Sequence, residues 1–95
     1  MSVVVRPAAA ADIDDAYLWY ERQSPGLGEA FLLAVDAAKQ RIATNPEALP
    51  VVHRDTRRVL LSRFPYGIYY RIHGDIVLIV ACMRGRRDPR RWRAR

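Results

Sequence analysis

The last twelve residues carry the densest set of groups that could take part in chemistry. Residues 84–95 read RGRRDPRRWRAR and include seven arginines. Arginine stays protonated and binds carboxylate or phosphate oxygens in pairs, so this segment could bind nucleic-acid phosphates or an acidic protein. A solvated surface that only aids solubility is the third interpretation. Trp92 favours a contact surface, because Trp and Arg dominate interface hot spots, although its ring could equally fold back over the core.

Charge is distributed unevenly along the chain. Residues 1–50 contain seven acidic and four basic residues, residues 51–83 contain two acidic and five basic, and the last twelve contain one acidic and seven basic. The net charge of +6 therefore equals that of the last segment. The basic residues of the middle segment are all arginines: Arg54, Arg57, Arg58, Arg63 and Arg71. The C-terminal half is thus the candidate basic surface.

The chain lacks the residue patterns of the common catalytic sites. It has no G-x-S-x-G, HExxH, P-loop or glycine-rich dinucleotide pattern. His53 and His73 stand alone in predicted loops, where a histidine is usually a solvated side chain. Cys82, the single cysteine, lies in an apolar run that predicts a buried packing residue and not a reactive thiol. We therefore expect no catalytic residue, no metal and no cofactor.

Length and composition indicate one small folded domain over residues 1–95. Half of the 95 residues are hydrophobic, which predicts a folded chain. A domain of this size has marginal stability, and a permanent partner would add to it. No apolar run is long enough for a membrane span, and the N-terminal residues lack the basic start and long apolar core of a signal peptide. The expected location is the cytoplasm.

Two segments have the periodicity of amphipathic helices, residues 9–23 and 27–44. The first apolar stripe consists of Ile13, Ala16, Tyr17 and Tyr20. The second consists of Phe31, Ala34, Val35, Ala38 and Ile42. The short break SPGLG between them predicts an antiparallel helical hairpin.

Three carboxylates, Asp12, Asp14 and Asp15, fall near the start of the first predicted helix. The positive end of the helix dipole favours acidic residues in the first turns. This explanation is preferred over a metal site.

Four further segments have the composition of strands: residues 2–7, 57–64, 66–72 and 76–83. Residues 51–55 are predicted as loop and residues 73–75 as a tight turn. Alternation along the second strand places Arg57 and Arg63 on one face and Arg58 on the other. The order β-α-α-β-β-β predicts an α+β fold, with the helical hairpin packed on one face of a small antiparallel sheet. Which edge the first strand joins is left open.

Apolar residues outside the two helical stripes predict that part of the surface is covered. Leu18 and Trp19 lie off the first stripe, and Leu32, Leu33 and Ala37 flank the second. A protein partner is one candidate for the cover. The alternative is that the other helix and the chain termini already provide it.

These segments, in this order, resemble the toxin subunits of bacterial toxin–antitoxin pairs. The matching pieces are WYE at 19–21, PGLG at 25–28 with Phe31, NP at 45–46, RFPY at 63–66, and RRDP at 86–89 with Trp92. Together they look like the ParE branch of the RelE/ParE superfamily, whose members are often labelled plasmid stabilisation proteins. The resemblance covers nearly the whole chain and implies the same β-α-α-β-β-β order.

The resemblance admits two activities. RelE-like toxins cut messenger RNA on the ribosome, which requires proton-transfer groups and cations. They carry an arginine early in the third strand, a histidine or basic residue after the last strand, and then a tyrosine. This chain has Gly67 and Arg84 at the first two positions and no tyrosine after Tyr70. Because arginine is a poor general acid or base, the ribonuclease is the less favoured alternative.

ParE-like toxins poison DNA gyrase by binding, which needs no catalytic residue. The resemblance therefore implies a type II toxin that inhibits gyrase and forms a hetero-oligomer with a ParD-like antitoxin. Such antitoxins add a helix or strand along apolar grooves or a sheet edge. A degenerate toxin that keeps only antitoxin binding is a further alternative, and direct nucleic-acid binding is secondary.

Two groups of site residues follow from this comparison. The basic surface expected to face the target or partner consists of Arg84, Arg86, Arg87, Trp92 and Arg93. The surface expected to bind the antitoxin consists of Leu18, Trp19 and Leu32.

Overall fold

The computed structural model describes residues 2–85, which form two helices and a five-stranded sheet. The elements are β1 (Ser2–Val5), α1 (Pro7–Gln23), α2 (Leu27–Thr44), a 3₁₀ turn (Pro46–Ala48), β2 (Val51–His53), β3 (Thr56–Leu60), β4 (Tyr66–His73) and β5 (Ile76–Arg84). The strand order is β1-β5-β4-β3-β2. Neighbouring strands are antiparallel, except that β1 joins β5 in parallel. The predicted α+β fold is confirmed, and the first strand joins the β5 edge.

Both helices pack on the same face of the sheet and bury their apolar stripes there. Phe31 and Ile42 of α2 have no exposed surface, and Tyr20 of α1 is 9% exposed. The other buried apolar side chains of the helices are Ala9, Ala16, Val35 and Ala38, while Ile13, Tyr17 and Ala34 are partly buried against the same core. The predicted stripes therefore form the core. Neither helix is long and apolar enough to cross a membrane.

The prediction of a loop over residues 51–55 is wrong, because Val51–His53 forms the edge strand β2. It pairs antiparallel with β3 in an irregular register. The guanidinium of Arg57 binds the residues that precede this strand: its Nη1 donates hydrogen bonds to the carbonyl oxygens of Glu47 and Leu49 at 2.9 and 2.6 Å. A three-residue edge strand that depends on such a side-chain contact leaves little signal in the sequence.

The predicted strand over residues 57–64 is too long, because β3 ends at Leu60. The peptide N–H of Leu61 donates to the carbonyl of Tyr66 at 2.9 Å and closes a tight loop. Within it, Arg63 takes a left-handed φ of 68° and Phe64 turns into the core. Arg63 therefore does not share a strand face with Arg57 as predicted.

The dipole explanation for the three aspartates is also wrong. Helix α1 begins at Pro7, so its first turn contains no acidic residue. Proline is well suited to the first helical position, where no N–H donor is needed. Asp12 has a different function: its carboxylate accepts a hydrogen bond from the peptide N–H of Cys82 at 3.0 Å. It thereby ties α1 to the part of β5 that extends beyond the pairing with β1.

The turn between the helices is held by one carboxylate and one close approach. Glu21 accepts hydrogen bonds from the peptide N–H groups of Gly26 and Gly28 at 3.0 to 3.1 Å. Gly28 lies directly against Tyr17, because a Cβ at position 28 would be 2.9 Å from the Tyr17 carbonyl oxygen. Gly26 takes a φ of 89°, which favours glycine. The turn fixes how closely the two helices approach.

Gly28→Ala should lower the free energy of unfolding by about 1–3 kcal/mol, because the added methyl would force α2 away from Tyr17. Urea unfolding followed by circular dichroism measures the change. Glu29→Ala, at the exposed neighbouring position, is the control and should change stability by less than about 0.5 kcal/mol. An unchanged stability of Gly28→Ala would contradict the close approach of the helices.

Candidate functional site

The hairpin turn and the start of β4 meet in a cluster of aromatic rings, which we call the aromatic corner: Trp19, Tyr20, Phe31, Phe64 and Tyr66. The Tyr20 ring centroid lies 4.8 Å from that of Phe64 and 5.4 Å from that of Phe31. Phe31 in turn contacts Tyr66 edge-on at 5.2 Å. Such pairs stabilise beyond the area that they bury. The aromatic corner is therefore a closely packed part of the core, from which the half-exposed Trp19 reaches the surface.

Arg84 lies at this corner, at the end of β5. It pairs in register with Tyr66 of β4, and its Cζ is 6.0 Å from the centroid of the Trp19 ring, within the range of a cation–π contact. Gly85 follows with a φ of 61°, and its N–H donates to the Pro65 carbonyl at 2.6 Å. Of the predicted basic surface, Arg84 is thus placed beside Trp19. Arg86, Arg87, Trp92 and Arg93 lie outside the described residues.

Within residues 2–85, imidazole groups lie away from Arg84. His73 pairs with Ile76 at the opposite end of β4 from Tyr66, which is about 23 Å away at the rise of a strand. His53 belongs to β2 at the far edge of the sheet. The carboxylates of Asp12 and Glu21 in α1 already accept hydrogen bonds from peptide N–H groups, so they serve to hold the fold together. The described part of this corner offers positive charge and aromatic surface.

Three of the five arginines of the middle segment contribute to the packing of the sheet, whereas Arg54 and Arg63 are exposed. Arg57 binds the carbonyl groups before β2, as described above. Arg58 lies across Gly67, where an added Cβ would be 3.0 Å from Arg58 Cδ. Arg71 Nε donates to Thr56 Oγ1 at 3.0 Å and lies 3.6 Å from Asp55. These three side chains therefore contribute to packing more than to an open basic surface.

The outer side of the hairpin carries an exposed apolar surface. Leu18, Trp19 and Leu33 are 47, 46 and 69% exposed. Leu18 lies five residues before the end of α1 and Leu33 six residues after the start of α2, so both lie within about two helical turns of the hairpin turn. Leu32, which the sequence analysis selected, is partly buried against the main core. We call Leu18, Trp19 and Leu33 the outer strip.

The sequence analysis did not select Leu33 as a site residue, although its angle around α2 indicates that it faces away from the core. At about 100° per residue, Leu33 lies roughly opposite the core stripe centred on Phe31 and Val35, whereas Leu32 lies on its flank. Leu60, which is 57% exposed at the end of β3, was also missed. Its exposure depends on where β2 begins, which the sequence does not indicate.

A groove runs between α2 and the end of β3. One part has a volume of about 270 Å³ and is lined by Ala34, Ala37, Ala38, Arg41, Leu60, Leu61 and Ser62. A second part of about 340 Å³ continues past Arg41 to the 3₁₀ turn and Leu49. At the β2 side of β3, the peptide N–H of Arg58 donates to the carbonyl oxygen of Pro50. Peptide groups two residues apart in a strand point to the same side, so those of Leu60 also point toward this edge, beyond the residues that pair with β2. The groove thus combines small apolar side chains, one cation and a strand edge.

Comparison with known proteins identifies the family. The sequence model described as the ParE toxin of the type II toxin–antitoxin system, parDE, matches residues 3–89. The chain therefore belongs to the ParE toxin family. A solved structure titled "Chromosomal ParDE TA system from P. aeruginosa" superposes with a TM-score of 0.68 at 24% sequence identity, covering 90% of this chain and 96% of that one. This likeness shows the same fold. Comparison with curated proteins gives no match.

Cys82 is buried in the core as predicted, with 2% of its surface exposed. Burial raises the pKa of its thiol to about 12, and the nearby Asp12 carboxylate adds to this increase. The thiol is therefore neutral at physiological pH. Because only the thiolate is strongly nucleophilic, Cys82 acts as a packing residue.

This increase in pKa predicts a loss of stability at high pH. The unfolded thiol ionises at its ordinary value of 9.0, whereas the folded thiol keeps its proton to about 12. The contribution of the neutral Cys82 thiol to the free energy of unfolding is thus complete below pH 9. It is lost as the pH rises toward 12, by at most about 1.4 kcal/mol per pH unit. Urea unfolding of the wild type and Cys82→Ala between pH 8 and 10.5 measures the difference in slope. Equal slopes would contradict the assignment.

Proposed function

We propose that the chain is a toxin that inhibits DNA gyrase by binding it in the cytoplasm and is neutralised by a ParD-like antitoxin. The observation that carries this proposal is the composition of the aromatic corner. Arg84 and Trp19 supply charge and aromatic contact area, and the described histidines lie elsewhere in the sheet. Inhibition by binding needs such a contact surface and requires no proton transfer.

The target-facing surface would extend from Arg84 to the arginines that follow it, Arg86, Arg87 and Arg93. The cation–π contact with Trp19 and the bond from Gly85 to Pro65 hold the start of this segment in place. A fixed start limits where the following arginines can be presented. Guanidinium groups in such an arrangement favour an acidic or phosphate-bearing target, and a gyrase–DNA complex presents both.

The antitoxin would cover the outer strip and the groove beside α2. The outer strip leaves three large apolar side chains in water, which is typical of a surface with a partner. In the groove, the edge of β3 can accept an added strand while Arg41 pairs with an acidic residue of the partner. A ParD-like antitoxin with an acidic, apolar C-terminal segment fits both surfaces. The resulting assembly is a hetero-oligomer.

Purified gyrase should lose supercoiling activity when the full chain is added in excess. The double variant Arg86→Glu/Arg87→Glu should need at least about ten-fold more protein for the same inhibition, because two cationic contacts become repulsive. The control, Lys39→Glu/Arg54→Glu, makes the same change in net charge away from the corner and should inhibit like the wild type. Agarose gels that separate relaxed from supercoiled plasmid measure the effect.

Three results, obtained from the supercoiling assay together with assays of cell growth, messenger RNA cleavage and antitoxin binding, would contradict the gyrase proposal. If gyrase supercoils DNA normally in the presence of a chain that stops cell growth, the target lies elsewhere. Cleavage of messenger RNA at defined codons in a translating extract would assign the chain to the ribonuclease arm. Harmless expression combined with tight antitoxin binding would identify a degenerate toxin.

Trp19→Ala should weaken the antitoxin complex by about 2 kcal/mol, or roughly thirty-fold in Kd, because a half-exposed ring would be lost from the interface. Leu33→Ala should also weaken it, whereas Ile76→Ala, at the far turn between β4 and β5, should not. Calorimetric titration with the cognate ParD-like antitoxin measures the three affinities. An unchanged affinity for Trp19→Ala would show that the outer strip is not the antitoxin surface.

A further inference from the structure

Two arginines of the described residues have a left-handed backbone conformation. Arg54 has a φ of 50° and Arg63 a φ of 68°, and both side chains are exposed. Long side chains adopt this region rarely, because Cβ comes too close to a backbone carbonyl oxygen, whereas glycine and asparagine tolerate it. The fold therefore does not require an arginine at either position, and the two residues differ mainly in where they lie.

Arg54 lies in the turn between β2 and β3. His53 pairs with Thr56, so Arg54 and Asp55 form the two central residues of the hairpin turn. The favoured two-residue turns need a positive φ at the first of these positions. This turn precedes β3, whose five residues span about 13 Å before the strand ends at Leu60. Arg54 is thus an exposed, left-handed arginine at the end of β3 that lies away from the aromatic corner.

Arg63 lies in the loop at the other end of β3, and the backbone of this loop is fixed. The peptide N–H of Leu61 donates to the Tyr66 carbonyl at 2.9 Å, and the peptide N–H of Tyr66 donates to the Phe64 carbonyl at 2.8 Å. Phe64, the next residue after Arg63, is buried, and its ring centroid lies 4.8 Å from that of Tyr20. The Arg63 side chain is therefore presented from a preorganised backbone, which lowers the entropy lost on binding.

The same loop places Arg63 close to Arg84. Arg63 lies three residues before Tyr66, which is at most about 11 Å along the chain, and Tyr66 pairs directly with Arg84. The peptide N–H of Gly85 donates to the Pro65 carbonyl at 2.6 Å and joins the loop to the end of β5. Two exposed arginines from different strands therefore lie at one corner of the described structure.

Within residues 2–85, the guanidinium groups of Arg63 and Arg84 have no carboxylate partner. The ion pair between Arg71 and Asp55 lies toward the opposite end of β4 from Tyr66. Glu21, which follows Tyr20 of the aromatic corner, accepts hydrogen bonds from two peptide N–H groups of the hairpin turn. The described part of the corner thus presents two positive charges that its own carboxylates leave unneutralised.

The residue types at this corner favour a protein partner that carries carboxylates. Arginine binds a carboxylate through two parallel N–H donors, and Trp and Arg are enriched among the residues that dominate protein interfaces. Trp19 is 46% exposed, and its ring centroid lies 6.0 Å from Cζ of Arg84. The backbone of duplex DNA would engage the charges alone, whereas an acidic protein surface engages both the charges and the ring.

We propose that Arg63 contacts the protein target of the toxin and, together with Arg84, binds carboxylate groups of that target. This inference rests on the proposed inhibition of gyrase by binding and extends the target-facing surface onto the loop between β3 and β4. Because the backbone at position 63 suits a smaller residue, the charge can be removed there without loss of stability.

Arg63→Asn tests the contact, since asparagine tolerates the left-handed conformation and should keep or raise the melting temperature. In calorimetric titration into gyrase, this variant should bind at least about ten-fold more weakly than the wild type. The matched control is Arg54→Asn, which removes the same charge from an equally exposed, left-handed position and should bind like the wild type. Wild-type affinity of Arg63→Asn, or an equal loss in both variants, would overturn the proposal.

Growth arrest on expression separates this proposal from the gyrase proposal. If the wild type arrests growth without binding gyrase, the gyrase proposal fails. Arg63→Asn should then still be much less toxic than Arg54→Asn, because another protein target would meet the same corner, and undiminished toxicity would overturn the contact.

Binding to duplex DNA alone distinguishes the two sources of negative charge. Fluorescence anisotropy with a labelled duplex should give the same affinity for Arg63→Asn and Arg54→Asn, because each variant lacks one charge. A loss confined to Arg63→Asn would assign the contact to DNA phosphates and contradict a protein carboxylate.

Discussion

The approach of α1 to α2 at Gly28 is the constraint on which the rest of the structure depends. No side chain separates the Tyr17 carbonyl from the backbone of α2 at this point, and Glu21 fixes the turn by accepting two peptide N–H groups. The two helices can therefore present one continuous stripe to the sheet. The same geometry brings Tyr20 and Phe31 together and leaves Leu18 and Leu33 exposed near the hairpin turn.

Two surfaces with different chemistry follow from this arrangement. The inner end of the hairpin packs on β4 and β5 and forms the aromatic corner, where Arg84 meets Trp19. The outer side of the hairpin carries the apolar strip, and the α2 groove exposes the edge of β3. Trp19 belongs to both surfaces. A partner bound to the outer strip would therefore contact the ring beside which the proposed target-facing segment begins, and the proposed neutralisation could act through this contact.

Periodicity in the sequence was sufficient to predict the fold. The stripes of α1 and α2 and the apolar run of β5 became the core, because burial on one face repeats at the helical or strand period. Features that depend on distant contacts were not predictable. Arg57 binds the residues before the edge strand β2, Asp12 can bind the Cys82 peptide only because β5 lies beside α1, and Leu60 is exposed because β2 begins only at Val51. Leu33 could have been found from its helical angle alone.

The central claim is that toxicity arises from binding and not from chemistry on RNA. Calorimetric titration of the purified full chain into gyrase, without nucleotide or messenger RNA, tests it most directly. The account predicts saturable binding that Arg86→Glu/Arg87→Glu weakens by at least about ten-fold and that prior binding of the antitoxin prevents. The absence of binding to gyrase, together with messenger RNA cleavage by the same preparation in a translating extract, would contradict it.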